Sequence, residues 1–511
     1  MNATVKGSFH LKSGTELIPR DSGGIVFSPR PLRAVKINGS AFKLLQRCRD
    51  GLSLEDRCFD NPALLQSTLS LFDRLCQSGL LEWRPPTEGF EPFVSIVIAV
   101  FNRAGDIAAC IESLLGLDYP PSKREIIVVD DASTDPTCSV VSRYDVKLVR
   151  QEQNLGQSAA RNVGVSKASG EIVAFVDSDC IAEPGWLREL VPYFQDSRNA
   201  LVGGYVASYY RESLLDRYED AKSPLNMGEA VAVGSGEESD FYVPCCNMLV
   251  RKDAFVRVRG LNEDLRVGED VDFCWKLKEH GLRLVYAPRG RVRHKHRNRL
   301  ADAFKRRFDY GTSEPVLYSF HQAISKRFPW QPACMAVLFA CVWGLLFEQP
   351  WAAAAAAPIL LWDAAVKKRS YEDQIGNPIG FGSVLRATLE RHFELIYHLS
   401  SHLVRYHLIL MILLASVLPP TMPVAAAVVL LVGGAEFFKK SPRLFFPVFL
   451  IFFLMEQISY QAGVFCSCVK LRSFRPYKLV FVDPYREKRI RILRRMKCVF
   501  GKARRYLATS E

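Results

Sequence analysis

The chain reads as an α/β protein with a parallel sheet, preceded by a small mixed domain and followed by a hydrophobic region. Three observations point there. Nearly continuous apolar runs, VSIVIAV from Val94, EIIVVD from Glu125 and EIVAFVD from Glu171, have the length of buried strands rather than helices. Helical stretches separate them, as in βαβ units. The runs end in polar side chains, at Asn102, at Asp130 and Asp131, and at Asp177 and Asp179. Ligands of such sheets gather outside the carboxyl ends of the strands. No G-x-G-x-x-G follows the first strand, which argues against a nicotinamide-binding enzyme.

Residues 1–84 form the front domain. GIVFSPR and RAVKING read as short strands, AFKLLQRC as a helix, and LSLEDRC and NPALLQSTLSLFDRLCQ as two more. Asn61 is placed to cap the last of these, with Pro62 in its first turn and Gly79 at its end. Strands followed by helices in so short a span suggest a winged-helix-like unit. The cadence N-G-S-A-F-x-L-L, D-G-L-S, L-x-x-x-G-L-L resembles PqqD-like domains. That resemblance implies a peptide held as an added strand; a structural cap without ligand is the alternative. Residues 85–92, rich in Pro, form a stiff linker.

The charge of +13 is uneven: from Lys470 onward 14 Lys or Arg face three acidic residues. Such a basic end beside apolar segments suits an anionic membrane surface. No reader helix or aromatic-basic motif accompanies it, so nucleic acid is not expected as a partner. The 14 cysteines lack zinc spacing and read as reduced thiols. The first residues have no apolar core of a signal peptide, so the catalytic domain is expected on the cytoplasmic side of the cell membrane.

Asp177 and Asp179 are one residue apart at a strand end, where an extended chain would turn both to one face. Converging carboxylates seat a hard divalent cation, Mg²⁺ or Mn²⁺, that leaves positions open to substrate phosphates. An Asx-turn before the next helix is the plainer alternative. The ordered motifs VSIVIAVFNR, VVDDASTD, NLGQSAARNVG and FVDSD, with the downstream block from Cys246 through Glu269–Asp270, resemble inverting family 2 glycosyltransferases over roughly residues 93 to 315, within a domain expected at 93–330. The resemblance implies a GT-A nucleotide-diphospho-sugar transferase fold, Rossmann-like.

Matched residue by residue, it implies the following roles. Asn102 and Asp130 or Asp131 bind the nucleotide, a carboxylate accepting the base's imide N–H. Arg161 contacts phosphate or ribose. Asp177 sits near the ribose, and Asp179, with Asp177, holds the metal. Asp270 takes the acceptor's proton, with Glu269 as first alternative; capping of the following helix is the bland reading of both. The densest basic run, from Arg289 to Arg299, offers His294 as a further metal ligand, with His296 its competitor. Arg306 and Arg307 are reserve phosphate ligands.

Residues 331–469 carry five apolar stretches, several shorter than the roughly 20 residues a span needs. Residues 470–511 are a basic tail. Keeping every basic cluster in the cytosol requires an even number of crossings, so at least one stretch does not span. The order of parts resembles the glycosyltransferases of mycofactocin systems. This implies transfer of glucose from UDP-glucose to a peptide-derived redox cofactor or its precursor. A transferase building a lipid-linked or cell-surface glycan is the alternative, and a non-catalytic membrane-bound peptide adaptor is the alternative of another class.

Overall fold

The computed structural model describes residues 5–29, 32–54, 62–86, 89–234, 241–322, 324–376 and 378–483. The proposed cap at Asn61, most of LSLEDRC and the tail from residue 484 lie outside them. Two compact units emerge, Met1–Leu317 with Phe437–Gly463, and Tyr318–Glu436 with Val464–Glu511.

In the first unit the front domain has more strand than expected. Ser8–Leu11 pairs antiparallel with Leu52–Ser53 and Leu81–Arg84, while Glu16–Arg20, Gly23–Pro29 and Leu32–Asn38 form a second sheet. Leu52–Ser53 is thus a strand where a helix was expected: two residues completing a sheet edge outweigh local helical pattern. Helices Gly39–Arg47 and Pro62–Gln77 cover Phe9, Val26, Leu45 and Phe72. Asp73, on the second helix, meets Arg198 at 2.9 Å and Arg283 at 3.1 Å, and both arginines also bind the fully buried Asp196. This ionic cluster joins the front domain to the catalytic one.

The catalytic domain is built on an eight-stranded sheet and a smaller three-stranded one. In chain order its strands are β1 (Val94–Val100), β2 (Arg124–Asp130), β3 (Lys147–Arg150), β4 (Ile172–Phe175), β5 (Cys180–Ala182), β6 (Asn199–Gly203), β7 (Val206–Ser208), β8 (Ala232–Gly234), β9 (Met248–Arg251), β10 (Arg283–Tyr286) and β11 (Val292–His294). The large sheet runs β8-β10-β6-β9-β4-β1-β2-β3, and β5-β11-β7 make a small second sheet. The half from β4 to β3 is parallel, as expected. The other half is not: β9 lies antiparallel between β4 and β6. The sheet is therefore mixed.

The helices that matter for the site are α1 (Ile107–Leu115), α2 (Gln157–Lys167), α3 (Leu214–Lys222), α4 (Glu269–Glu279) and α5 (Leu300–Phe320). The α2 helix lies on β1 so closely that a Cβ at Gly164 would stand 2.3 Å from Val97 Cγ1. Val97 is buried and stiff at χ1, so it cannot retreat. Gly164→Ala should cost about 1–3 kcal/mol by overpacking, read as a lowered midpoint in chemical denaturation.

The second unit contains α6 (Phe381–Val417) and most of α7 (Met422–Lys440), joined at Pro419–Pro420. The last long helix, α8 (Phe446–Leu471), begins in the first unit. By length and composition, Phe381–Val417, Pro419–Lys440 and Phe446–Leu471 are apolar enough to cross a membrane. Pro332–Leu346 is apolar but short, and the stretch from Trp351 is broken between two helices, the second of which runs on through Asp363, Lys367 and Lys368.

Candidate active site

Two loops leave the β1 and β2 ends in strained conformations. Asn102 and Ala132 have φ of 51° and 61°, in the left-handed region that side chains usually avoid. Asn102 spends its side-chain oxygen on the amide of Thr134 at 2.8 Å and that of Asp135 at 3.3 Å, so it shapes the β2 loop. Asp131 is spent too: its two oxygens accept the amides of Leu155 and Gly156, each at 2.8 Å, pinning the entrance of α2. Asp130 differs. Its Oδ2 accepts from Ser133 at 3.2 Å and faces Arg150 at 3.7 Å, while its buried Oδ1 has no N–H donor among the described residues. Of the two aspartates, Asp130 is thus the one whose side chain keeps an oxygen without an N–H partner.

The β4 strand ends at Phe175, so Asp177 and Asp179 lie in the turn beyond it. The expected shared strand face is not there; the tight turn sends the two carboxylates to different partners. Asp177 takes Arg161 at 2.5 Å. Burial pushes its carboxyl up, but Arg161, His294 and Arg306 together hold it below the usual range. Asp179 faces His294 at 3.5 Å and Arg103 and Arg297 at 3.6 Å each. Antiparallel pairing of β5 with β11 sets Cys180 opposite His294, and one ligand atom from each of Asp179, Cys180 and His294 lies within 4.8 Å of the others. Burial pushes the Cys180 thiol up, which leaves Asp179 and His294 as the carboxylate–imidazole pair of this group. His296, the competitor, is engaged elsewhere: Nδ1 with Ser208 Oγ at 2.7 Å and Nε2 with Asp216 at 3.0 Å.

Gly268, at φ 84°, turns the chain sharply into α4, whose first residues are Glu269 and Asp270. Glu269 is buried and bonded to Arg161 at 2.9 Å and Gln157 at 2.7 Å. Arg161 thus bridges Asp177 and Glu269, buried to 2% exposure. The expected contact to phosphate or ribose gives way to this internal role, because both terminal nitrogens already have carboxylate partners. Asp270 makes no ion pair among the described residues, and Arg161 acts on it only as a minor counterweight. Burial first, and then the Glu269 charge, push its carboxyl up to about 7.

The neighbours Arg306 and Arg307 diverge. Arg306 stacks over the Tyr310 ring at 4.8 Å and feels Glu269 and Asp177. Arg307 points away, donating to both oxygens of Glu219 at 2.9 Å, so it is not a phosphate ligand in this arrangement. Successive side chains on a helix are about 100° apart, which separates their roles. Sequence reasoning also passed over Arg103, Arg297 and Gln157. Arg103 directly follows Asn102 and Arg297 lies in the basic run, but spacing alone gives neither a reason to face Asp179.

A carboxylate at the end of β2, a carboxylate–imidazole pair beyond β4 and a carboxyl pushed up at the start of α4 thus lie at or beyond the strand ends and at a helix start. Residues 95–259 match glycosyl transferase family 2, and this part of the chain is a family 2 glycosyltransferase domain of the GT-A fold. Over 242 residues the chain is 36% identical to the pre-mycofactocin glycosyltransferase of Mycobacterium tuberculosis, covering 47% of this chain and 50% of the relative. It is 30% identical over 203 residues to glycosyltransferase AglE of Haloferax volcanii, covering 38% of this chain and 64% of that one. The chain therefore spans about half the length of the M. tuberculosis relative.

Proposed function

We propose that the chain transfers a hexose, glucose in the first instance, from a nucleoside diphosphate sugar to a hydroxyl of a small peptide-derived redox cofactor or its precursor. The supporting observation is that Asp177 lies between two groups, Asp270, pushed up to about 7, whose carboxyl feels its charge, and His294, which acts on it while facing Asp179 at 3.5 Å. Similarity to the pre-mycofactocin glycosyltransferase favours UDP-glucose as donor and a mycofactocin-type acceptor.

Asp130 accepts the imide N–H of the base through its spare oxygen. Asn102 and Asp131 hold the loops around it. Asp179 and His294 would hold a divalent cation, which would neutralise charge growing on the leaving diphosphate. Arg103, Arg297 and Arg306 add positive charge on the same side. Asp270, deprotonated, takes the proton from the acceptor hydroxyl as it attacks the anomeric carbon. The resemblance to inverting family 2 enzymes implies one displacement with inversion, with Asp270 as its single base and Glu269 tied to Arg161.

The apolar helices attach the chain to a membrane, with the catalytic domain on the cytoplasmic side where the basic clusters belong. The front domain, PqqD-like in this reading, presents the acceptor's peptide portion. Full-length protein incubated with UDP-glucose, other nucleotide sugars and a candidate acceptor should add hexose-sized mass to the acceptor. Absence of any sugar transfer or donor hydrolysis would favour the adaptor reading. Chelation should remove activity, and Mn²⁺ should restore it better than Mg²⁺, because an imidazole ligand suits Mn²⁺.

A further inference from the structure

The polarity of α8 is reversed relative to a helix in water. Glu456, Gln457, Tyr460, Gln461 and Ser467 are buried alongside Phe449 and Phe453. Facing outward are Ile451, Met455, Ile458, Phe465 and Val469, with Ile451 58% exposed and Phe465 and Val469 each 53%. At about 100° per residue these five share one narrow sector opposite the buried side chains. An amphipathic helix on a soluble protein turns its apolar stripe inward. A contiguous apolar stripe turned outward needs an apolar partner.

The buried face is fastened to charged parts of the catalytic domain. Tyr218 on α3 donates to Glu456 at 2.5 Å, and Arg307 on α5, held by Glu219, has its Nε 3.8 Å from the same carboxylate. Tyr460 donates to Glu314 of α5 at 2.6 Å. At Gly463 a Cβ would stand 2.1 Å from the Phe308 carbonyl oxygen, so the helices touch backbone to backbone. The middle of α8 is therefore fixed beside α3 and α5, which carry the exposed charges Arg217, Asp302 and Lys305. A helix crossing a bilayer would drag these into hydrocarbon, where charge is costly and lipid-facing polar groups go unsatisfied.

We propose that α8 lies in the plane of a lipid bilayer surface, with its outward stripe in the headgroup–acyl boundary, and does not cross. This rests on the membrane attachment proposed above. The distribution of charge supports it. Lys367, Lys368 and Arg369 precede α6, Lys439, Lys440 and Arg443 lie at and just after the end of α7, and Lys470, Arg472, Arg475 and Lys478 at and just after the end of α8. With α6 and α7 entering and returning through the Pro419–Pro420 turn, an in-plane α8 leaves all three clusters on one side. A spanning α8 would put the last cluster on the opposite face. Cations beside an apolar stripe also suit anionic headgroups.

The test uses the full chain in phosphatidylethanolamine–phosphatidylglycerol vesicles, with exposed Cys466 changed to Ser. Nitroxides are placed singly at Ile451→Cys, Ile458→Cys and Val469→Cys, and their collision with oxygen and with a nickel chelate is compared. The outer positions are 18 residues apart (469 − 451), about 27 Å along the axis. An in-plane helix gives all three the same shallow depth, roughly 5–10 Å into the boundary. Residue 458 near the midplane with 451 and 469 near opposite surfaces would show a span and overturn the proposal. Water-like collision rates on a chain that still sediments with the vesicles would overturn it in favour of a protein partner. A chain that fails to sediment with vesicles would defeat the membrane attachment itself.

Discussion

Asp270→Asn should lower the rate of sugar transfer by about 10²–10⁴-fold, the range a lost general base commands, while nucleotide binding persists. The amide keeps the shape and cannot accept the proton. The pH profile carries the same information. In the native chain kcat/KM should rise with pH and level off above about 7, as Asp270 loses its proton. In the variant that limb should vanish from whatever activity is left. Stability should move the other way. An unfolded aspartate releases its proton near 4, and folded Asp270 keeps its own until about 7. The folded state binds more protons across that window, so this group's stabilisation is full below about 4 and is lost as pH rises through about 7. Asparagine removes that cost. At pH 8 the variant should be more stable by about 1–2 kcal/mol, a value discounted for the partial exposure of Asp270. Denaturant titration at pH 8 and pH 5 checks this, with the difference shrinking at the lower pH.

Arg161→Met should have the largest effect on folding. Arg161 is buried and holds Asp177 at 2.5 Å and Glu269 at 2.9 Å. Removing the cation leaves the buried Glu269 and the partly buried Asp177 unpaired, and breaking a buried pair from one side costs about 3–5 kcal/mol. The denaturation midpoint should fall accordingly, and more steeply at pH 8 than at pH 5, because protonation relieves the unpaired acids. Arg161→Lys should recover only part of the loss. A single ammonium cannot reproduce the fork that reaches both carboxylates. Equal stability of the Met variant and the native chain would mean that the bridge contributes little.

The sheet's parallel half was legible because β1, β2 and β4 are buried on both faces and so read as unbroken apolar runs. The antiparallel insertion of β9 was not legible, since four residues of MLVR pair by long-range register that no local pattern encodes. That Asp130, Asp131, Asp177 and Asp179 lie at or just beyond strand ends could be read from the apolar runs before them. What each one does could not. Asp130 and Asp131 are adjacent and chemically identical, but only Asp130 keeps an oxygen without an N–H partner. Arg306 and Arg307 show the same limit, since a turn of the helix sends one toward the acidic cluster and the other to Glu219. Arg161 read as a contact to phosphate or ribose, because its carboxylate partners Asp177 and Glu269 lie on other segments that no local pattern links to it. The apolar helices were visible as stretches, but the inward turn of Glu456 and Tyr460 is a tertiary fact.

Calorimetric titration of the full-length chain with UDP, with and without Mn²⁺, tests the nucleotide–metal site most directly. Binding should require the cation, disappear in Asp179→Asn and survive in Asp270→Asn. UDP binding of equal strength without metal and in Asp179→Asn would contradict the assignment of this acidic cluster as the donor site.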